Sequence, residues 1–379
     1  MKVLDFMNIH EDWENLISQP PYNIKVKHDD NYILLKYNQL SSDFSLPIVR
    51  ECRGSIFYLN QYGKYECVCR AFDKFGNYGE SYVPNIDWNS ALVEEKVDGS
   101  LMKVWYHNNM WHISTNGTID AYKADVNDTG LTFGDLFSEA FNNSTMPKQF
   151  GCHDFLNSLN PNSTHMFELV SPKSRATISY PCTKLYYLGS RDMRTMEEYK
   201  VYDSELMWLY GVAYPKIFHL HTIEDCLNYV KAMTKDEEGF VVRDKDFNRI
   251  KIKSPEYLMA FHMNNNGAIT TKRIIKMLQN ETIDDFIAYC PEYQNDVKDI
   301  ISTLNYICEC LDEVWSCVEY YALDNRDDFA GRIAGDPDAA WLFKKYDNPN
   351  LSAIDYMMSL PINKLTKWVD GNKKILERT

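Results

Sequence analysis

The amino-acid sequence predicts an α+β fold, in which antiparallel sheets with flanking helices occupy residues 1–260 and an all-α domain occupies residues 261–379. The length supports two domains, because 379 residues correspond to two units of the usual ~100–200 residues. Short runs of β-branched and aromatic residues fill the first two-thirds of the chain, whereas apolar residues with helical spacing dominate the rest. With 45% hydrophobic residues, the chain has enough apolar surface to form buried cores in both parts.

The predicted strands of the first domain lie at residues 32–37, 54–58, 101–106 and 184–188. Asn108 and Asn109 separate the third of these from residues 111–114, which predicts a two-residue hairpin turn. Apolar residues at helical spacing between residues 222 and 233 predict a helix within this domain.

The second domain is predicted to be helical. Apolar residues from Val297 to Val318 recur with helical spacing over about six turns, which predicts one long amphipathic helix. Pro337, Pro349 and Pro361 divide the following residues into shorter helices. The boundary between the domains is predicted at residues 258–270, with a linker or turn at 264–267.

Composition excludes several classes of protein. A net charge of −14 argues against a protein that coats nucleic acid without specificity, although an acidic enzyme can still bind nucleic acid along one groove. No apolar segment resembles a secretion signal or the ~18–20 residues of a membrane span. The ten cysteines form no C-x-x-C pair, which predicts reduced thiols rather than a zinc site. We therefore expect a cytoplasmic protein, of a host cell if phage-encoded, with no membrane partner.

The central motif is residues 96–100 (KVDGS), between a predicted strand at 91–93 and another that begins at Leu101. A lysine at a strand end, followed by Gly99, suits a nucleophile aimed at a phosphate, because glycine lets a nucleotide approach the backbone. The motif alone is weak evidence, because a lysine and an aspartate beside a turn glycine more often form an ordinary hairpin.

Three further elements follow it in order, namely residues 167–172 (FELVSP), 238–242 (EGFVV) and 251–253 (KIK). Attack on the α-phosphate of ATP needs the neutral amine of the attacking lysine. The positive charges of Lys251 and Lys253 favour this neutral amine, and they also neutralise the oxygens of the phosphate. The two lysines share one face of a strand, because side chains alternate. Glu238 can hold Mg²⁺, largely through water. Each element by itself is also compatible with a solvated strand or turn.

The ordered set resembles motifs of the covalent nucleotidyltransferases, which comprise polynucleotide ligases and mRNA capping enzymes. Residues 51–57 and 72–80 look like two further elements typical of RNA ligases. Together with residues 253–257 and a helical C-terminal domain of this size, the resemblance is to the phage-type RNA ligase 1 family, which repairs broken tRNA.

The resemblance implies a nucleotidyltransferase fold for residues 1–260 and an RNA or tRNA specificity role for residues 261–379. It implies adenylation of Lys96, catalytic assistance from Glu238, Lys251 and Lys253, and α-phosphate binding by the last two. The other implied ATP or AMP contacts are Arg53 and Glu168 at the ribose, Val241 at adenine, Lys74 near the phosphates, and Phe75, Glu95 and Gly99. Two positions depart from the family: Gly76 follows Phe75 where a second aromatic is common, and Asn116 stands where a basic residue is common.

The predicted function is ATP-dependent joining of 5′-phosphate and 3′-hydroxyl RNA ends through lysyl-AMP and RNA-adenylate intermediates. ATP and Mg²⁺, with Mn²⁺ as a substitute, are the expected cofactors, and nicked tRNA and an end-healing kinase–phosphatase are the expected partners. A DNA ligase or capping enzyme is an alternative, but those usually continue into a β-barrel domain rather than helices. A catalytically silent nucleotide- or RNA-binding module is the other alternative, against which the full set of lysines and glutamates argues.

Overall fold

The computed structural model describes residues 1–39, 41–126, 129–142, 151–174, 178–200, 204–258, 269–279, 283, 286–287, 293–323, 325–349 and 351–376. The chain divides into two compact units, Met1–Asn264 and Asn265–Thr379. Residues 264–267, predicted as a linker, lie outside the described residues.

The described residues of the first unit form three antiparallel sheets. Sheet A has the order β1-β2-β3-β4, with β1 Ile24–Asp29, β2 Tyr32–Tyr37, β3 Arg53–Leu59 and β4 Tyr65–Cys69. Sheet B has the order β11-β5-β12-β13, with β5 Leu92–Glu95, β11 Ile217–Phe218, β12 Gly239–Arg243 and β13 Arg249–Lys253. Sheet C has the order β10-β9-β8-β6-β7, with β6 Ser100–His107, β7 Met110–Thr115, β8 Ser163–Val170, β9 Lys184–Asp192 and β10 Glu198–Tyr199.

Helices cover these sheets. They are α1 Lys2–Ile9, α2 Trp13–Ser18, α3 Pro47–Glu51, α4 Phe133–Asn142, α5 Cys152–Ser158, α6 Ser204–Leu209 and α7 Ile223–Val230. Helix α7 begins where the sequence predicts it, because the Thr222 hydroxyl accepts a hydrogen bond from the Asp225 amide at 3.1 Å. Asn108 and Asn109 join β6 to β7 with φ of 49° and 60°, the left-handed backbone of a hairpin turn.

Sheet B has one apolar and one charged face, because side chains alternate along each strand. Ile250 and Ile252 of β13 pack with Phe240 and Val242 of β12 against helix α7. Arg249, Lys251 and Lys253 face the other way, yet all five residues of β13 are buried. The charged face is therefore shielded from bulk water, which strengthens every charge interaction on it.

Every regular element in the described residues of the second unit is a helix. Its helices are α8 Thr271–Gln279, α9 Gln294–Val318, α10 Arg326–Arg332, α11 Ala339–Asp347, α12 Ala353–Ser359 and α13 Ile362–Leu376. Helix α9 is the long predicted helix, and Val297, Ile300, Leu304, Ile307 and Leu311 form its buried stripe. No helix in the described part of the chain is long and apolar enough to cross a membrane.

Candidate active site

The predicted nucleophile Lys96 lies directly after β5 and is fixed by the adjacent strand. Its backbone amide donates to the carbonyl of Gly239 at 2.9 Å, while the Ser254 amide donates to the carbonyl of Glu238 at 2.9 Å. Gly239 has φ of 132°, and a side chain there would collide with the carbonyl of Ile252 in β13. Glycine is therefore required for strands β12 and β13 to meet beside the lysine.

Glu238 joins two of the predicted catalytic lysines. Its Oε1 lies 2.8 Å from Lys96 Nζ and 2.9 Å from Lys253 Nζ. Burial alone would raise the pKa of Glu238, but Lys253 and Lys96 hold it below the usual range, so the carboxylate is ionised. Of its side chain only 3% is exposed, against 21% for Lys96. Lys96 is thus the member of this cluster that a ligand can reach.

The second oxygen of Glu238 is suited to a metal ion. Among the residues that the structure describes, Glu238 Oε2 is buried and has no hydrogen-bond partner. No group of three or more His, Cys, Asp or Glu side chains that could hold a metal occurs in the described ranges. One carboxylate oxygen fits Mg²⁺, which keeps several waters and takes few protein ligands.

Lys251 is held on the same face of β13 by a segment far away in sequence. The Lys251 amide donates to the carbonyl of Gly76 at 2.9 Å, and the Tyr78 amide donates to the carbonyl of Lys251 at 2.8 Å. Residues 76–78 therefore extend sheet B beside β13. This places the predicted element at residues 72–80 next to the predicted phosphate-binding lysines.

Glu168 and Gly99 meet where β6 begins. A side chain on Gly99 would lie 2.5 Å from the Leu169 carbonyl oxygen and 3.0 Å from Glu168 Cγ. Gly99 thus lets the segment between β5 and β6, which contains Lys96, pack against β8. The sequence suggested a different reason for this glycine, namely the approach of a nucleotide to the backbone. Burial raises the pKa of Glu168 to about 7, although Lys96 nearby favours the charged form.

Glu168→Gln is expected to remove a pH dependence of stability. The folded carboxyl binds its proton more tightly than the unfolded one, with a pKa raised from 4.5 to about 7. The protonated form therefore stabilises the fold below pH 4.5, and this contribution is lost as the pH rises through about 7. At pH 8 the variant should be more stable by roughly 1–3 kcal/mol in urea unfolding, and equal at pH 4.5. Glu11→Gln, in an exposed turn, is the control, and an equal gain at both pH values would contradict this assignment.

Arg53 and Phe75 pack together beside the site. The guanidinium carbon of Arg53 lies 5.3 Å from the ring centre of Phe75 and 5.9 Å from that of Phe72. The charge of Arg53 also acts on Glu168. The predicted nucleotide-binding residues Arg53, Phe75 and Glu168 therefore lie in one neighbourhood, and Val241, half-buried in β12, shares the charged face of sheet B.

Lys74 and Glu95 have other surroundings. The Lys74 ammonium lies 5.0 Å from the ring centre of Phe44 and 5.5 Å from that of Tyr37, and it lines a cavity of about 660 Å³ to which Lys96 does not contribute. The Glu95 carboxylate accepts a hydrogen bond from the Lys216 amide at 3.2 Å. Their predicted contacts with ATP stay predictions.

Gly76 has a structural reason for lacking a side chain. A Cβ at this position would overlap Glu80 Oε2 and lie 2.7 Å from the Tyr82 hydroxyl. Glu80 Oε2 accepts a hydrogen bond from the Asn77 amide at 2.7 Å, which closes the turn that pairs with β13. The space that a second aromatic would need is therefore already filled.

Gly76→Ala is expected to weaken both the fold and the site. The methyl group must displace Glu80, so we expect a loss of about 1–3 kcal/mol in urea unfolding and a slower adenylation of Lys96, since Gly76 anchors Lys251. Gly331→Ala, where nothing lies within 4 Å, is the matched control and should be neutral or stabilising. Wild-type stability of Gly76→Ala would show that Glu80 moves without cost.

Sequence reasoning missed two features that position the site. Asp98 is buried, and its Oδ2 accepts a hydrogen bond from the Ile178 amide at 2.7 Å, which fixes the loop after Lys96. Two sets of ion pairs, buried except at Asp73, also link sheets B and C to the segments next to them. The first set is Glu51–Arg70, Arg70–Asp73, Asp73–Arg191, Arg191–Glu198 and Glu198–Arg249, and the second is Arg243–Glu94 and Glu94–Lys200. The alternation of charges in residues 249–253 was the one local signal of these ion pairs.

Comparison with known proteins identifies relatives. Residues 51–257, more than half of the chain, match the model of the RNA ligase family named after phage T4 RNA ligase 1. A protein of Autographa californica nuclear polyhedrosis virus, described as a bifunctional polynucleotide kinase/RNA ligase, is 33% identical over 75% of this chain and 41% of its own length. An RNA ligase of Rhodothermus phage RM378 is 24% identical over 86% of this chain and 87% of its own.

Among solved structures, an archaeal ATP-dependent RNA ligase covers 77% of this chain and 78% of its own, with a TM-score of 0.44 and 14% identity, too low to bear on function. The chain spans less than half the length of the baculovirus relative. The match over residues 51–257 confirms the family that the motifs predict. The chain belongs to the RNA ligase family of the phage T4 RNA ligase 1 type.

Proposed function

We propose that this chain is an ATP-dependent RNA ligase that joins a 5′-phosphate end to a 3′-hydroxyl end through lysyl-AMP on Lys96. The observation that carries the proposal is the shared carboxylate: Glu238 Oε1 holds Lys96 Nζ at 2.8 Å and Lys253 Nζ at 2.9 Å in a buried place. The family match over residues 51–257 supports the same reaction.

The arrangement suits the first step, nucleotidyl transfer to the lysine. Lys96 Nζ attacks the α-phosphorus of ATP, a phosphorus–nitrogen bond forms, and the bond to the leaving pyrophosphate breaks. The amine must lose a proton, and the nearest carboxylate that can accept it is Glu238 Oε1. Lys251 and Lys253, on one buried face, neutralise the oxygens of the phosphoryl group as charge spreads over them.

The two later steps reuse the same charged face. A 5′-phosphate oxygen of RNA attacks the lysyl-AMP, so AMP moves to the RNA and Lys96 is released. The 3′-hydroxyl of the other strand then attacks this RNA phosphate and AMP leaves. A divalent ion held by Glu238 Oε2 and waters would neutralise phosphate charge, and Mg²⁺, with Mn²⁺ as a substitute, fits these oxygen ligands.

The finer proposals concern partners and place of action. The baculovirus relative is described as containing a polynucleotide kinase, which supports an end-healing partner for this chain. Nicked tRNA is the proposed substrate, and the second unit, residues 265–379, is the proposed element that recognises it. Both proposals are supported by the family resemblance of the sequence motifs. The nine cysteines that the structure describes are free thiols, which supports action in the reducing cytoplasm.

The test is covalent labelling of the full chain with ATP radiolabelled at the α-phosphate, in Mg²⁺ or Mn²⁺. We expect label that survives denaturation and moves to a 5′-phosphorylated RNA strand as RNA-adenylate. The label should then be released as AMP when a 3′-hydroxyl end joins that strand, and RNA ends but not DNA ends should be joined. Absence of label would refute the enzyme and favour a silent binding module. Labelling by GTP in place of ATP would favour a capping enzyme, and preferential joining of DNA would favour a DNA ligase.

A further inference from the structure

Sheet A carries a row of three cations on neighbouring strands. Lys25 of β1 is paired with Lys36 of β2, and Lys36 is paired with Arg53 of β3. We call Lys25, Lys36 and Arg53 the basic row. Side chains of directly opposed residues lie on the same face of a sheet, and like charges so placed destabilise it. The row concentrates positive charge on one face of sheet A, although the net charge of the chain is −14.

A β-bulge brings Arg53 onto the face of Lys36. The register of β2 and β3 shifts between Leu35 and Lys36, so that two residues of β3, Arg53 and Gly54, oppose Lys36. Gly54 occupies the bulge with φ of 68°, a conformation that favours glycine. Arg53 thus becomes the inner end of the basic row, next to Phe75.

Two further lysines, Lys103 and Lys27, lie near the basic row. Lys103 of β6 is fully buried and donates a hydrogen bond to the Gly54 carbonyl. Burial, together with the charges of Arg53 and Lys36, lowers the pKa of Lys103. Lys27 Nζ donates to the Gly117 carbonyl at 3.1 Å, and Lys36 Nζ lies 3.1 Å from where a side chain on Gly117 would begin. Lys27, Lys36 and Lys103 therefore lie near the end of β7.

Two buried polar atoms at this place have unused hydrogen-bonding capacity. Within the described residues, Arg53 Nη1 and Asn116 Oδ1 are buried without a hydrogen-bond partner. Asn116 Oδ1 and Lys103 Nζ both lie 2.9 Å from the point where a side chain on Gly54 would begin. Buried polar atoms without partners are rare in a finished fold. Arg53 Nη1 is a donor and suits an anionic oxygen such as that of a phosphate, whereas Asn116 Oδ1 is an acceptor and does not bind one.

The basic row extends outward from the catalytic cluster. Arg53 is its inner end, because the charges of both Arg53 and Lys96 act on Glu168. Strands in a sheet are ~4.8 Å apart, so the row continues for roughly 10 Å from Arg53 to Lys25. That length accommodates more than one phosphate group.

We propose that the basic row binds consecutive phosphate groups that lead away from the phosphate joined to Lys96. This proposal rests on the proposed ligase function. The ligand is a chain of phosphates, and it has two sources: the triphosphate tail of ATP in the first step, or the RNA backbone next to the sealed end. Lysine and arginine suit both, because charge-assisted hydrogen bonds to phosphate are strong.

The test compares Lys36→Glu with Lys64→Glu in the full chain. Lys64 is exposed in the turn between β3 and β4 of the same sheet, so its replacement changes the net charge equally. One arm measures lysyl-AMP formation against ATP concentration without RNA. The other arm measures joining of a pre-adenylated RNA strand against RNA concentration without ATP. Urea unfolding of both variants checks that the fold is kept.

We expect Lys36→Glu to raise KM in one arm by roughly ten- to a hundredfold, and Lys64→Glu to change neither by more than about twofold. An effect in the first arm assigns the basic row to the tail of ATP, and an effect in the second assigns it to RNA. Equal behaviour of the two variants in both arms would overturn the proposal. A wild-type protein inactive in both arms would instead refute the ligase function itself.

Discussion

Lys96→Ala is expected to abolish covalent labelling by ATP, the largest effect of any single substitution in this chain. The amine supplies the nitrogen of the phosphorus–nitrogen bond, and the loop around it leaves Lys96 as the exposed member of a cluster in which Glu238 and Lys253 are buried. Neither of the other two can take its place at the ligand. The label should fall below detection, whereas joining of a pre-adenylated RNA should persist, since that strand already carries AMP.

Two controls define this experiment. Lys64→Ala, at an exposed turn, should label like the wild type. Lys96→Arg keeps the charge beside Glu238 but offers no amine at neutral pH, so it should fold like the wild type and remain unlabelled. Label retained by Lys96→Ala would place the nucleophile elsewhere, and Lys251 would be the next candidate to replace.

Glu238→Ala is expected to have two effects: it should destabilise the fold, and it should stop adenylation of Lys96. Removing the carboxylate leaves two ammonium groups that repel each other, and the side chains of Lys253 and Glu238 are only 5% and 3% exposed. Removing one partner from a buried charge cluster costs roughly 3–5 kcal/mol, because the remaining charge stays out of water. Urea unfolding and ATP labelling measure the two effects separately.

Glu238→Gln separates stability from chemistry. The amide keeps the shape and one hydrogen-bond acceptor, so the loss of stability should be smaller than for alanine, while labelling should remain strongly reduced for want of the negative charge. If ATP labelled the glutamine variant at the wild-type rate, Glu238 would only stabilise the fold. It would then neither accept the proton of Lys96 nor hold the metal ion.

Several features of the fold are predicted by the sequence because they depend on neighbours along the chain. The alternation in residues 251–253 predicts a strand with Lys251 and Lys253 on one face, as the structure has it. The helical spacing from residue 297 to 318 predicts helix α9. The ordered motifs predict the family, which the match over residues 51–257 confirms. The roles of the individual site residues stay predictions.

Other features were not accessible from local patterns. The reason for Gly76 is the Glu80 carboxylate beside it, which only the turn of residues 76–80 brings there. The Asp98–Ile178 hydrogen bond joins residues 80 positions apart, and the Glu94–Arg243 ion pair joins residues 149 positions apart. No periodicity of the sequence indicates such pairs, since they depend on which sheet faces which.

The sequence by itself thus determined the family, the position of Lys96 at a strand end, and the types of charge that accompany it, because motif order and side-chain alternation are properties of the chain. The tertiary structure decided that Glu238 Oε1 is shared by Lys96 and Lys253, and that a bulge at Gly54 aligns Arg53 with Lys36 and Lys25. These follow from the register and packing of strands distant in sequence, and distances of about 3 Å between charged atoms are fixed only when those strands meet.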